Sequence, residues 1–156
     1  MPISTDDAIN KFGIQDNVMG GGTIAAVANA AFSVIGATGI LEWINDDDAP
    51  MAAAVLMANF TVAPTVNSTI NLYAALVDID STNSADAPDA DNQNVYLGSF
   101  PLNDVTTAQY IPINISLPNT YTSQKYNFHI ENGSGQSLPA SNWSLKITPM
   151  TIGGAA

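Results

Sequence analysis

Three segments in the C-terminal half alternate strictly between apolar and polar residues, and they constrain the fold more than anything else in the chain. In 110–117, Ile111, Ile113, Ile115 and Leu117 fall on one side, and Tyr110, Pro112, Asn114 and Ser116 on the other. In 126–131, Tyr126, Phe128 and Ile130 oppose Asn127, His129 and Glu131. In 143–148, Trp143, Leu145 and Ile147 oppose Ser144, Lys146 and Thr148. A strand points successive side chains to opposite faces, so each segment reads as a strand with one buried and one wet face. Half-wet sheets are usually antiparallel. Turn residues separate the segments: Pro118-Asn119, then Asn132-Gly133-Ser134-Gly135. The pattern predicts a β-meander across 109–151 whose apolar face the rest of the chain covers. It puts His129 on the wet face.

Upstream, the long apolar run 51–62 predicts a central strand buried on both faces, and 69–79 a second strand. The connection 64–68 has hairpin length. Short strands are expected at 32–35, 40–44 and 95–100, with 80–94 a loop lacking apolar periodicity. The Ala-rich stretch 23–31 favours a helix. Pro112 cannot donate to a ladder, which implies an edge strand or a bulge. The result is an all-β chain of about eight strands, an antiparallel β-sandwich with jelly-roll-like spacing of turns. At 156 residues it is read as one domain. Residues 23–156 form that domain, and 1–22 an extended N-terminal arm ending in Gly20-Gly21-Gly22. Within the arm, 6–12 suggests a turn or two of helix capped by Thr5 or Asp6. Its apolar residues Ile3, Ile9, Phe12 and Ile14 are the candidates for contact with a neighbouring subunit, ordering on contact. On this reading the domain folds without residues 1–22.

Charge excludes several functions. Three lysines face fourteen acids, there is no Arg, and the net charge is −11. Nucleic acid and anionic membrane surfaces would repel such a chain. The uncharged run 17–41 is long enough to span a bilayer, but Gly20-Gly21-Gly22, Asn29, Gly36 and Gly39 interrupt it. The acidic start does not resemble a signal peptide.

Reactive chemistry is poorly supplied. There is no Cys, one His and no Gly-x-Ser-x-Gly, which argues against nucleophilic catalysis and a transition-metal centre. Nothing marks Glu42 and Glu131 as a catalytic pair. The expectation is a non-enzyme. The acidic loop 78–92 opens with Asp78-x-Asp80-x-Thr82, oxygen ligands in the rhythm of a Ca²⁺ loop. It lacks the Gly and Glu an EF-hand needs, so a solvated loop is favoured and no cofactor is assigned, with Asp78, Asp80 and Thr82 the calcium candidates. Asp46-Asp47-Asp48 is treated the same way. Tyr110 and Tyr121 fall off the apolar phase and are candidate sugar platforms, whereas Trp143 is in phase and belongs to the core. Five Asn-x-Ser/Thr triplets, at Asn59, Asn67, Asn114, Asn132 and Asn142, are explained by the abundance of those residues.

An ordered series of short motifs runs through the second half: Gly98-Ser99-Phe100-Pro101, Thr106-Thr107-Ala108-Gln109, Leu117-Pro118, Tyr126-Asn127-Phe128 and Ser134-Gly135-Gln136. The series resembles that of small virion structural proteins of tailed bacteriophages, over roughly 60–149. The chain departs from the pattern at Asn119-Thr120-Tyr121, where a Pro-Gly turn is expected, and in its more acidic preceding loop. The resemblance implies a capsid decoration or cement protein on the virion surface. Such a protein would form a homo-oligomer, a trimer at local three-fold positions, bind the major capsid protein and stabilise the head. It implies no active residue. The alternative is a receptor- or carbohydrate-binding module of a tail or fibre, using exposed Tyr and the acidic loop with Ca²⁺.

Overall fold

The computed structural model describes residues 8–19, 24–33, 42–80, 82–92 and 95–154. Nine strands occur among them: β1 (Ala8–Phe12), β2 (Asp16–Met19), β3 (Trp43–Ile44), β4 (Met51–Ala58), β5 (Thr69–Val77), β6 (Val95–Pro101), β7 (Gln109–Ser116), β8 (Lys125–Gly133) and β9 (Trp143–Gly154). No described residue is helical. The strands form two antiparallel sheets that stack as a β-sandwich. One runs β1-β9-β4-β7, with β2 also on β9; the other runs β3-β8-β5-β6.

The alternating residues fill the space between the layers, as their spacing predicts. Ile111, Ile115, Leu145 and Ile147 come from one sheet, with Ile70, Leu72, Tyr126, Phe128 and Ile130 from the other. β4 adds mostly small residues, Ala52, Ala54 and Ala58, around Leu56. The bulk comes from buried Trp143, Tyr126, Phe60, Phe100 and Phe128. Large against small lets two layers interdigitate. Burying each large apolar side chain stabilises by about 1.5–3 kcal/mol.

Pairing departs from the meander. β7 and β9 both flank β4, while β8 lies in the other sheet against β5. Alternation reports which face is buried and carries no information about the neighbouring strand. The strands instead nest from the ends inward: β2 with β9, β3 with β8, β4 with β7, β5 with β6. Consequently 64–68 is not a hairpin, since β4 and β5 belong to different sheets. The apolar run also ends early, at Ala58, and its burial alternates. Val55 and Met57 face outward and are half-buried, so this central strand is covered fully on one face only. Pro112 sits on β7, an edge strand, where its missing donor is tolerated.

Two helical expectations fail. Residues 24–28 are not helical but bridge at Val27, which exchanges backbone hydrogen bonds with Leu138 at 3.0 and 2.9 Å, and the chain turns at 29–30, where Ala30 takes a positive φ. An isolated helix this short is marginal in water, whereas the observed path buries Ile24 and Val27 in the core. Residues 8–12 form β1 on β9 rather than a helical turn, and Asp6 and Asp7 lie outside the described residues. The strand expected at 32–35 shows as a bridge between Phe32 and Glu131, and the one at 40–44 as β3. Residues 34–41 lie outside the description.

Candidate interaction surface

β9 is long. Its residues 143–150 pair with β4, whereas 151–154 pair only with β1 among the described residues. β1 and β2 together form one edge along β9, interrupted at 13–15. Pro149 explains the interruption. Gly13 N–H donates to Pro149 O at 2.9 Å. Opposed residues of such a pair normally exchange two bonds, and proline has no N–H to return the second. Three residues, 13–15, then oppose the two between Met150 and Ile147. The edge bulges, and Ile14 is left 83% exposed.

Gly13 is required by crowding. A Cβ there would meet Asp47 Oδ2 and Pro149 Cγ at 2.6 Å each. The Asp47 turn is held from beneath by buried Asn45. Asn45 Nδ2 donates to Ala49 O at 2.9 Å, its Oδ1 accepts from Ala49 N at 3.0 Å, and its backbone N–H donates to Gln124 O at 2.9 Å. Asp48 takes a positive φ and accepts from Ser123 N at 2.6 Å. Across the sandwich opening, the Trp43 indole donates to Asp16 Oδ2 at 2.9 Å and packs its ring on Tyr126 and Phe128, both at 5.8 Å. These contacts enclose a cleft of about 400 Å³. Ile14, Trp43, Ile44 and Pro149 supply its apolar walls. Asp16, Asp46 and Asp47 supply its carboxylates.

The arm candidates divide on this surface. Phe12 and Ile14 are exposed at the bulge, 63% and 83%. Ile9 is in β1, paired with Gly153. Ile3 lies outside the described residues. The arm is not separate from the domain, because β2 buries Val18 and Met19 in the core.

The calcium candidates do not converge. Asp78 turns its carboxylate to Lys125 Nζ at 3.2 Å, and Lys125 also meets Glu42 at 3.5 Å. The Asp78 hydrogen bond and then the Glu42 charge raise the lysine pKa. Asp80 instead closes its own turn, accepting from Asn83 N at 2.7 Å, Thr82 N at 3.1 Å and Asn83 Nδ2 at 2.8 Å. The Asn83 hydrogen bonds hold its carboxyl below the usual range. Thr82 contributes its backbone to that turn. Among the described residues, no three His, Cys, Asp or Glu side chains gather as metal ligands.

His129 is fully buried, contrary to its wet-face position in the alternation. The segment ending at Ser33 lies against β8: Ser33 N–H donates to Ile130 O at 2.8 Å, and Ser33 O lies 3.1 Å from His129 Nδ1. That contact makes Nδ1 the protonated nitrogen and leaves Nε2 buried without a hydrogen bond. Burial lowers the histidine pKa.

Of the sugar-platform candidates, Tyr110 is 72% exposed, while Tyr121 is tied down by donating to Val77 O at 3.1 Å. Sequence reasoning missed a third group on the outer face of the β3-β8-β5-β6 sheet. Glu131 Oε2 accepts from Asn71 Nδ2 at 2.9 Å and from Tyr73 OH at 3.0 Å. Ser99 Oγ donates to Asn71 Oδ1 at 2.6 Å and lies 2.7 Å from Tyr96 OH. Burial, then the Glu131 hydrogen bond, push the Tyr73 phenol up to about 12. Its signal in the sequence was the off-phase set Asn71, Tyr73 and Glu131, legible only once β5 and β8 are paired.

No protein-family model matches the chain, and no curated protein is found similar to it.

Proposed function

We propose that this chain is a structural particle protein of a tailed phage, a capsid decoration or cement protein that binds the major capsid protein lattice. The observation that carries the proposal is the nested pairing of β2–β9. We read it as the pairing that one long antiparallel ribbon folded into two sheets would give, which supports a jelly-roll-like arrangement of the sandwich. That architecture recurs in viral capsid and lectin domains. The inference from fold is an analogy, so the surface must carry the rest. The bulged, apolar β1–β2 edge supports a contact role. On this reading the protein sits on the capsid surface as a trimer. A ligand that binds only the assembled lattice stabilises it by mass action. Purified virions decide the matter: a copy number comparable to that of the major capsid protein, and lower heat resistance of particles lacking the protein, are expected. A handful of copies, or unchanged resistance, would sink it.

A second reading, a carbohydrate-binding module, is favoured by one observation. Tyr96 is an exposed ring beside the Ser99–Asn71–Glu131 chain of hydrogen bonds. Glycan-array binding that is lost in Tyr96→Ala and Glu131→Gln would support it.

A further inference from the structure

We propose that the cleft between Ile14 and Ile44 seats an extended, lysine- or arginine-bearing segment of a protein partner. This rests on the reading of the chain as an interaction protein and gives the chemistry of what it contacts. The walls come first. Pro149 removes the return hydrogen bond, and the resulting bulge holds Ile14 in water beside half-exposed Ile44. Two aliphatic side chains flanking an indole and a proline form an apolar slot, which an apolar side chain of a partner would close.

Charge selects the partner. Asp46 and Asp47 make no hydrogen bond or ion pair with another described residue, yet the Asn45 clamp fixes the turn that presents them. The acidic strip continues past Asp16 to Glu42, along a neighbouring cleft of about 310 Å³ that shares Trp43 and Ile44. The lysines neutralise it only at its Glu42 end and leave Asp46 and Asp47 without an ion pair among the described residues. Lys125 is shared between Glu42 and Asp78, Lys146 lies beside Tyr110 on the outer face, and Lys11 borders the strip beside Asp47.

A second copy of the chain is a poor occupant. Each copy carries −11 with only three lysines, so a contact through this strip would bring like charge against like. A single cation is also a poor fit, because the carboxylates do not converge on one point. They are spread along an edge. An extended segment repeats its side chains on one face about every 6–7 Å, which suits separated carboxylates with an apolar slot between them.

NMR titration of the full chain tests this. The probes are a short alternating Lys-Val peptide and its Glu-Val counterpart. At low salt the basic peptide should shift the amide signals of 13–16 and 44–47 together with the Trp43 indole N–H, and the acidic one should not. Asp46→Asn with Asp47→Asn should weaken binding about tenfold, as should raising the salt. Both side chains are exposed, so the variant should remain folded. Ile14→Ser should weaken binding without altering the salt dependence. The proposal is overturned if the basic peptide does not bind or shifts signals elsewhere. It is also overturned if the acidic peptide or calcium chloride alone reproduces the shifts, or if the double Asn variant binds unchanged. Particle association of the same variants is scored separately. Persistent association would remove the cleft and leave the decoration reading standing, and peptide binding by a chain absent from particles would do the reverse.

Discussion

His129 shows what a single burial event does to a titratable group. Its ring is enclosed, with Nδ1 used on Ser33 O and Nε2 unpaired. Protonation would place a charge there with no acceptor for the second N–H, so burial lowers the native pKa. The unfolded chain binds its proton near pH 6.5 while the native ring resists. The resulting stability is therefore complete above about pH 6.5 and is lost as pH falls toward the native value. The Asp80 contribution acts lower. Its carboxyl is depressed, so its stability is present above the ordinary Asp value and lost as pH falls below it. Melting temperatures measured from about pH 8 to about pH 4 should begin to decline near pH 6.5, well before the carboxylates titrate. His129→Gln should abolish that first decline and keep the second. An unchanged slope in the variant would assign it to another group. At the edge, Gly13→Ala forces a methyl against Asp47 Oδ2 and Pro149 Cγ. The expected cost is about 1–3 kcal/mol in urea unfolding. Adding Asp47→Ala removes one of the two obstructions, so the double variant should recover part of the loss, a coupling that a thermodynamic cycle would register.

At the scale of elements, the arm and the sandwich are not separable. Among the described side chains the buried cluster takes none from Asn10, Lys11 and Phe12 of β1, whereas β2 contributes Val18 and Met19 and anchors Trp43 through Asp16. Removing residues 1–12 should leave a cooperative domain with its midpoint near that of the full chain. Removing 1–19 deletes Met19, a buried side chain whose truncation alone costs about 2–5 kcal/mol, out of a total of about 5–15. That chain should melt far lower or lose cooperativity. A domain equally stable without 1–19 would show that β2 is dispensable. The burial of Val18 and Met19 thus argues for the opposite of a domain that folds without 1–22, and the two truncations test it.

The difference marks what local pattern conveys. The phases of β5, β7, β8 and β9 were legible because each alternates in its own residues, as Ile111 and Ile115 or Leu145 and Ile147 do. Pairing was not, because Ala54 meets Ile113 on one side and Ile147 on the other, far along the chain. The exposure of Ile14 was equally hidden. It depends on which strand Pro149 lies against, and no property of 12–16 reports that. His129 and Glu131 misled for a related reason. Their face counted as wet by alternation, and Phe32 and Ser33 cover it from a short segment that reads as a strand but whose partner, β8, the local pattern does not name.

The nested pairing as a whole sets how the chain can fold. Among the described strands, β5 and β6 form the one pair of chain neighbours, joined through 78–94. Every other pairing joins strands separated by at least one more element, and β2 with β9 spans almost the whole chain. Loop-closure entropy must be met before each such pairing stabilises anything. A chain of this topology should therefore refold in milliseconds to seconds, in the slow range for single domains. The nesting also orders the events: the β5–β6 hairpin and the strands that pack on it form early, and the outermost pair closes late. Truncating Met19, in the outer pair, should then mainly accelerate unfolding, whereas Phe100→Leu, in the inner hairpin, should mainly slow refolding. Stopped-flow chevrons of the two variants read this directly. If Met19→Ala slows refolding as much as it destabilises the protein, the β2–β9 pair is already formed in the transition state, and the nested pairing closes from its ends rather than from its centre.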